Sequence, residues 1–155
     1  MGVHDALIQI RLLAPMTAPD DTDLIPSATV CRAWLHARSP LERFETWEPD
    51  LPGKWCVGCS DDGVDDAWQR IRTAVVSGKL AAAKVSTALT SYGRHAGRFV
   101  ICVYNRTWRD DAEIDRSRDV LAELGFTSEH MLGYKRDIET TRGIYGGDEE
   151  WYRRW

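Results

Sequence analysis

The chain has 155 residues, of which 43% are apolar and 28% charged, with a formal net charge of −4. That size and balance suit one folded domain with a sizeable core and exclude a disordered or low-complexity chain. A net negative protein offers nucleic acid no general attraction, so any anion site has to be a local basic patch.

Four cysteines without dense or regular spacing (Cys31, Cys56, Cys59, Cys102) and a start lacking a basic segment or long apolar run point to reduced thiols, a cytoplasmic location and no membrane span. Residues 14–26 hold three Pro and three Asp and read as a loop or loose arm. Ser27 is placed to cap a short helix with Val30, Cys31, Trp34 and Leu35 inward, ending before Pro40. Residues 1–52 are therefore expected to form an arm and short helix packed on the main unit, residues 53–155.

From Gly53 to Cys59 alternation predicts a strand, with Trp55, Val57 and Cys59 on one face and Lys54, Cys56 and Gly58 on the other. Val64, Ala67, Trp68, Ile71, Ala74 and Val75 recur at helical spacing, and Gly78 stands where a helix-ending glycine belongs. Strands are predicted over Leu80–Thr87 and Gly97–Tyr104, the latter with the strongest β-propensity in the chain. A helix over Asp110–Leu124 closes at Gly125, and Met131–Lys135 is a further strand. The connection between Thr87 and Gly97 is too short for a parallel crossover, so these neighbours pair antiparallel. The expected class is α+β, a mainly antiparallel sheet with helices on one face and the other face open.

Lysine is scarce, four against sixteen arginines, and Lys54, Lys84 and Lys135 all fall in strand or strand-end segments. Unlike Arg, a desolvated lysine can give up its proton. Lys84 follows Leu80-Ala81-Ala82-Ala83, which offer it little solvation, making it the first candidate for a chemically active group. Phe99, Ile101 and Val103 form an apolar row toward the helices, so Arg98, Val100, Cys102 and Tyr104 point the other way. Lys84 and Ser86 share that face, Lys54 joins from the first strand and Lys135 or Arg136 from the last. Converging cations, a hydroxyl and a phenol suit an oxyanion such as phosphate, although a solvated sheet face gives the same pattern.

Other constellations are weaker. Cys56 and Cys59 fall on opposite faces of a strand, against a shared zinc, and Asp61, Asp62, Asp65 and Asp66 charge a helix start. No metal or cofactor is expected. The histidines His4, His36, His95 and His130 are scattered and read as solvated or core. Of seven Trp, Trp34, Trp55 and Trp68 fit core positions, whereas Trp47 and Trp108 fall in loops flanking the sheet and could stack on a base.

Gly53-Lys54-Trp55 with the Val64–Trp68 helix start, Ala83-Lys84-Val85-Ser86-Thr87 with Val100-Ile101-Cys102-Val103-Tyr104, and Gly133-Tyr134-Lys135-Arg136-Asp137 with Thr140 and Gly143-Ile144-Tyr145 resemble one family in order and spacing. It is the phosphothreonine-lyase-domain family, to which basophilic-leukaemia-expressed proteins belong, and the resemblance covers about residues 53–145. It implies a curved sheet similar to the eukaryotic mRNA cap-binding initiation factor, and elimination of phosphate from a phosphothreonine or phosphoserine residue. By that resemblance Lys84 is the base, Lys54 the lysine of a Lys-x-His pair, and Arg98, Tyr104, Arg136 and Arg142 hold phosphate. Cys56 stands where the pair's acidic His is expected, leaving His95, in the loop before Arg98, as its substitute.

To act as base, Lys84 has to fall from an ordinary pKa of ~10.4 to roughly 7–8. Burial beside alanines and the nearby Arg98 and Lys54 push that way. The leading expectation is a lyase-like, phosphate-recognising domain acting on a phosphorylated peptide or protein. The alternatives are a non-catalytic nucleotide or cap-like RNA binder using Trp47 or Trp108, and an interaction domain holding no small ligand.

Overall fold

The computed structural model describes residues 23–138, 151–153 and 155. Five strands form one sheet: β1 (Trp34–Arg38), β2 (Gly53–Ser60), β3 (Ala82–Ser86), β4 (Arg98–Asn105) and β5 (Met131–Arg136). Their order is β1-β3-β4-β2-β5 and every neighbouring pair is antiparallel. Two helices, α1 (Val64–Val76) and α2 (Asp111–Glu123), follow β2 and β4. The class is α+β, as expected, and no described helix is long and apolar enough to cross a membrane.

The expected short helix near Ser27 does not form. Pro26–Ala28 is a single 3-10 turn, and Trp34–Arg38 is the edge strand β1. Five paired positions with β3 give the segment long-range partners that outweigh its weak local signal. Leu35 and Ala37 go into the core, and Trp34, His36 and Arg38 face the other side, so Trp34 leaves the core position expected of it.

One core lies between the sheet and the helices. Trp55, Val57, Val85, Phe99, Ile101 and Val103 meet Val64, Trp68, Ile71, Ile114 and Leu121 there. Each such side chain, fully buried, contributes about 1.5–3 kcal/mol. The buried Trp55 indole donates to the Ile114 carbonyl at 3.1 Å, fixing α2 against β2. α1 ends at Gly78, with φ of 87°, a conformation that a Cβ would strain. Asp110 caps α2 by accepting from the Glu113 amide at 3.2 Å. At the start of α1, Asp65 accepts from the Ser27 amide and hydroxyl, and Asp66 pairs with Arg70 at 3.0 Å.

The second face of the sheet is partly covered. Phe44 and Trp47, from the connection between β1 and β2, pack with Cys56, Ala82, Cys102 and Tyr104 into a second cluster. Trp151 packs against this cluster, over Gly133. The face is thus a partly covered floor instead of a bare wet surface.

Candidate functional site

Strand pairing brings side chains into two transverse rows on this second face. One row runs Arg38, Ala82, Tyr104, Lys54, Lys135, and the next His36, Lys84, Cys102, Cys56, Gly133. Directly opposite residues share a face with Cβ atoms about 5 Å apart. Lys54, Lys84 and Lys135 are 5%, 8% and 4% exposed, far below what lysines ordinarily show. Arg136, one residue on from Lys135, takes the other side, so alternation selects Lys135 from β5.

Lys54 is committed. Its ammonium lies 3.0 Å from the Asp137 carboxylate, with both side chains buried. Burial opposes this charge, but the Asp137 carboxylate outweighs it and holds the lysine well above its ordinary pKa. Lys54 therefore stays an ammonium and cannot serve as a base. Its nitrogen is 5.5 Å from the centre of the Tyr104 ring, and the Lys84 nitrogen is 6.0 Å from it. Burial keeps the Tyr104 phenol neutral by raising its pKa well above ordinary, and its buried hydroxyl has no hydrogen-bond partner among the described residues.

Lys84 differs. Its ammonium sits 4.0 Å over the Trp34 ring, and no described carboxylate pairs with it. Burial is the main force lowering its pKa, and the Lys54 charge adds to it. This is the environment from which an amine releases a proton. Opposite it on β4, the Cys102 thiol accepts from Cys56; that hydrogen bond and the amines of Lys54 and Lys84 outweigh burial and pull its pKa below the ordinary thiol range. Cys56 moves the other way, because it donates and is buried.

At one end of this face a groove of about 370 Å3 is lined by Trp34, Ser86, His95, Arg98, Val100 and Leu132. Trp34 thus joins the groove to Lys84. Ser86 uses its hydroxyl to accept from the Val100 amide at 3.0 Å. Arg98 is exposed and lies four residues along β4 from Cys102, about 13 Å of strand. It rims the groove and does not join the lysine floor. His95, in the 3-10 turn Gly93–His95, is also exposed there.

Of the residues expected to hold phosphate, Tyr104 and Lys135 join Lys54 and Lys84. Arg136 does not: its guanidinium stacks 5.0 Å from Trp108 and 5.3 Å from Tyr152. Arg142 lies outside the described residues, as do Thr140 and Gly143-Ile144-Tyr145. The two rings expected to stack on a base are both engaged. Trp47 is 2% exposed and packs 4.9 Å from Phe44, and Trp108 is held by Tyr152, Arg109 and its own bond to the Asp50 carbonyl. Cys56 and Cys59 face opposite sides, as their spacing requires.

Three residues of the floor and its rim had been given no role here by the sequence. Asp137 shares the parity of Lys135, which would have placed it beside Lys54. Trp34 and His36 were hidden by the helical reading of their segment. His36 stands directly opposite Lys84. Burial, then Lys84, Arg38 and Arg32, push its imidazole down to about 3.

A family model described as Basophilic leukemia-expressed protein Bles03 matches residues 51–141. The chain belongs to that family. The Bles03 match spans β2 through β5 and so includes Lys54, Lys84, Tyr104, Lys135 and Asp137. The edge strand β1, with Trp34, His36 and Arg38, lies before it.

Proposed function

We propose that this Bles03-family chain is a phosphate-recognising domain with lyase-like activity, eliminating phosphate from a phosphothreonine or phosphoserine residue of a peptide or protein. The observation that carries the reading is Lys84, a buried amine without a described carboxylate partner, beside a neutral phenol whose buried hydroxyl also lacks a described partner. A buried polar group left unpaired in the free protein is costly and becomes satisfied when a ligand oxygen arrives.

The chemistry divides between the two lysines. Lys84, with its lowered pKa, accepts the α-proton of the phosphorylated residue; the C–H electron pair becomes the Cα–Cβ double bond, and the Cβ–O bond breaks with its pair on phosphate. Lys54, fixed as an ammonium by Asp137, supports negative charge on the departing group without taking part in proton transfer. Lys135, opposite Lys54, adds a second buried cationic side chain to the same row. The groove beyond Trp34 gives the rest of the peptide a place next to the amine. A cytoplasmic location, given four free thiols, accompanies this reading.

The rival, a non-catalytic nucleotide or RNA binder, loses its two expected rings to packing, though Trp34 beside Arg98 at the groove remains a stacking surface. Mass spectrometry of a phosphothreonine peptide separates the readings. Elimination leaves an unsaturated residue and free phosphate, and Lys84→Met abolishes it. An intact hydroxyl would mean hydrolysis, and an unchanged peptide that still binds would leave a binder.

A further inference from the structure

The elimination leaves one proton unaccounted for: phosphate departs poorly unless something protonates its bridging oxygen. Lys84 is taken up as base. Lys54 is bound to Asp137 at 3.0 Å, and the Tyr104 phenol holds its proton too tightly to give it up readily. Among the described residues, His36 is the imidazole on the lysine floor; His95 rims the groove and His130 packs against Phe126.

We propose that His36 is the proton carrier of this site, sharing one proton with Lys84 across the β1–β3 ladder and delivering it to the departing phosphate oxygen. The inference rests on the elimination proposed above. Its geometric basis is the pairing of His36 with Lys84, which sets the two side chains next to each other on one face. Lys84 is buried in the floor, and His36, half-buried on the edge strand, is the more exposed of the two.

The charges around His36 set where the proton sits before substrate arrives. Lys84 faces it from β3, Arg38 flanks it on its own strand, and Arg32 precedes that strand. Trp34 and Ser86 in the adjoining row are uncharged, and Cys102 lies beyond Lys84 on β4. In the free protein burial and these cations keep the imidazole neutral. A phosphate dianion on the floor offsets the repulsion, and so does transfer of the proton away from Lys84. Binding therefore shifts the pair's one proton from Lys84 toward His36, and the reactive arrangement is neutral Lys84 with His36 imidazolium.

The step then balances. The α-proton passes to the Lys84 nitrogen, the C–H pair forms the double bond, and the Cβ–O pair leaves with phosphate. The His36 proton goes to that oxygen, giving hydrogen phosphate and a dehydro residue. Transfer from the Lys84 ammonium to the neutral imidazole opposite restores the starting state without any other reactant.

The test follows the His36 imidazole by NMR in the full chain, free and with millimolar inorganic phosphate, alongside elimination assays of wild type and His36→Gln. The proposal expects His36 to titrate far below the ordinary range when free. Its pKa should rise by at least about one unit with phosphate, and also in Lys84→Met, because opposing charge is removed. His36→Gln should lower kcat on a phosphothreonine peptide by about 10²–10⁴-fold with KM within a few-fold. It should lose far less on the matching sulfate ester, whose leaving group needs no proton. A wild type that eliminates while its His36 titrates normally, unmoved by phosphate or by Lys84→Met, overturns the proposal alone. Equal rates for His36→Gln and wild type do the same. A wild type that binds phosphate and shifts His36 but never eliminates removes the elimination reading and the donor role with it. The wild-type titration needs no variant, so a misfolded His36→Gln cannot obscure the result.

Discussion

The Lys54 ammonium and the Asp137 carboxylate meet at 3.0 Å with almost no exposure, joining strand β2 to the residue that follows β5. Such a pair gains little over a well-packed apolar replacement, yet breaking it leaves a buried charge alone. Asp137→Asn is expected to cost about 3–5 kcal/mol in urea unfolding. The double change Lys54→Met with Asp137→Asn should recover part of that loss, since neither charge then remains buried without its partner.

Lys84 carries the opposite balance. Its folded pKa lies below the ordinary lysine value, so the folded state pays for the ammonium at every pH where both states are protonated. That penalty is relieved as pH rises through the folded pKa toward the ordinary value. Lys84→Met is expected to raise the urea midpoint at neutral pH and to flatten the gain on the alkaline side, while abolishing the proposed elimination. A midpoint that falls would mean that the Trp34 contact outweighs the burial of charge.

His36 governs the acid side. Its pKa drops from 6.5 to about 3, so below pH 6.5 the unfolded chain binds a proton that the folded one refuses. The contribution is complete above about 6.5 and is lost progressively as pH falls toward 3. At its full extent the loss is on the order of 4 kcal/mol, reduced by the partial exposure of the ring. His36→Gln should make stability less steep in this window, as read by unfolding midpoints at successive pH values.

Gly133 has φ of 146°, and a Cβ added there would lie 2.7 Å from the Trp151 ring. Gly133→Ala is expected to destabilise by about 1–3 kcal/mol from the backbone conformation alone, with the clash adding to it. The accompanying signature is a change in tryptophan emission, since Trp151 has to move off the face it covers.

Much of this layout was legible in alternation and helical spacing. Lys54, Lys84 and Tyr104 share a face because period two in β2, β3 and β4 leaves them no other choice once Trp55, Val85 and Ile101 enter the core. β1 was not legible. Val30, Cys31, Trp34 and Leu35 also fit helical spacing, and the pairing with β3 that decides the matter is a long-range fact. The same misreading concealed His36. Nor does a strand pattern say what lies over it: Phe44 and Trp47 reach the second face from an irregular connection, turning a presumed open sheet into a buried floor and removing Trp47 as a stacking ring. Arg136 was ambiguous until the β2–β5 register placed Lys135 opposite Lys54.

The most direct test of the proposed phosphate recognition by this floor is a titration of the 15N-labelled chain with a phosphothreonine peptide, followed through the backbone and side-chain signals of Lys54, Lys84 and Tyr104. The account predicts saturable shifts at these three residues, weakened in Lys84→Met and absent with the unphosphorylated peptide. No saturable response at millimolar peptide, or one confined to the Trp108–Arg109 end of the molecule, would contradict it.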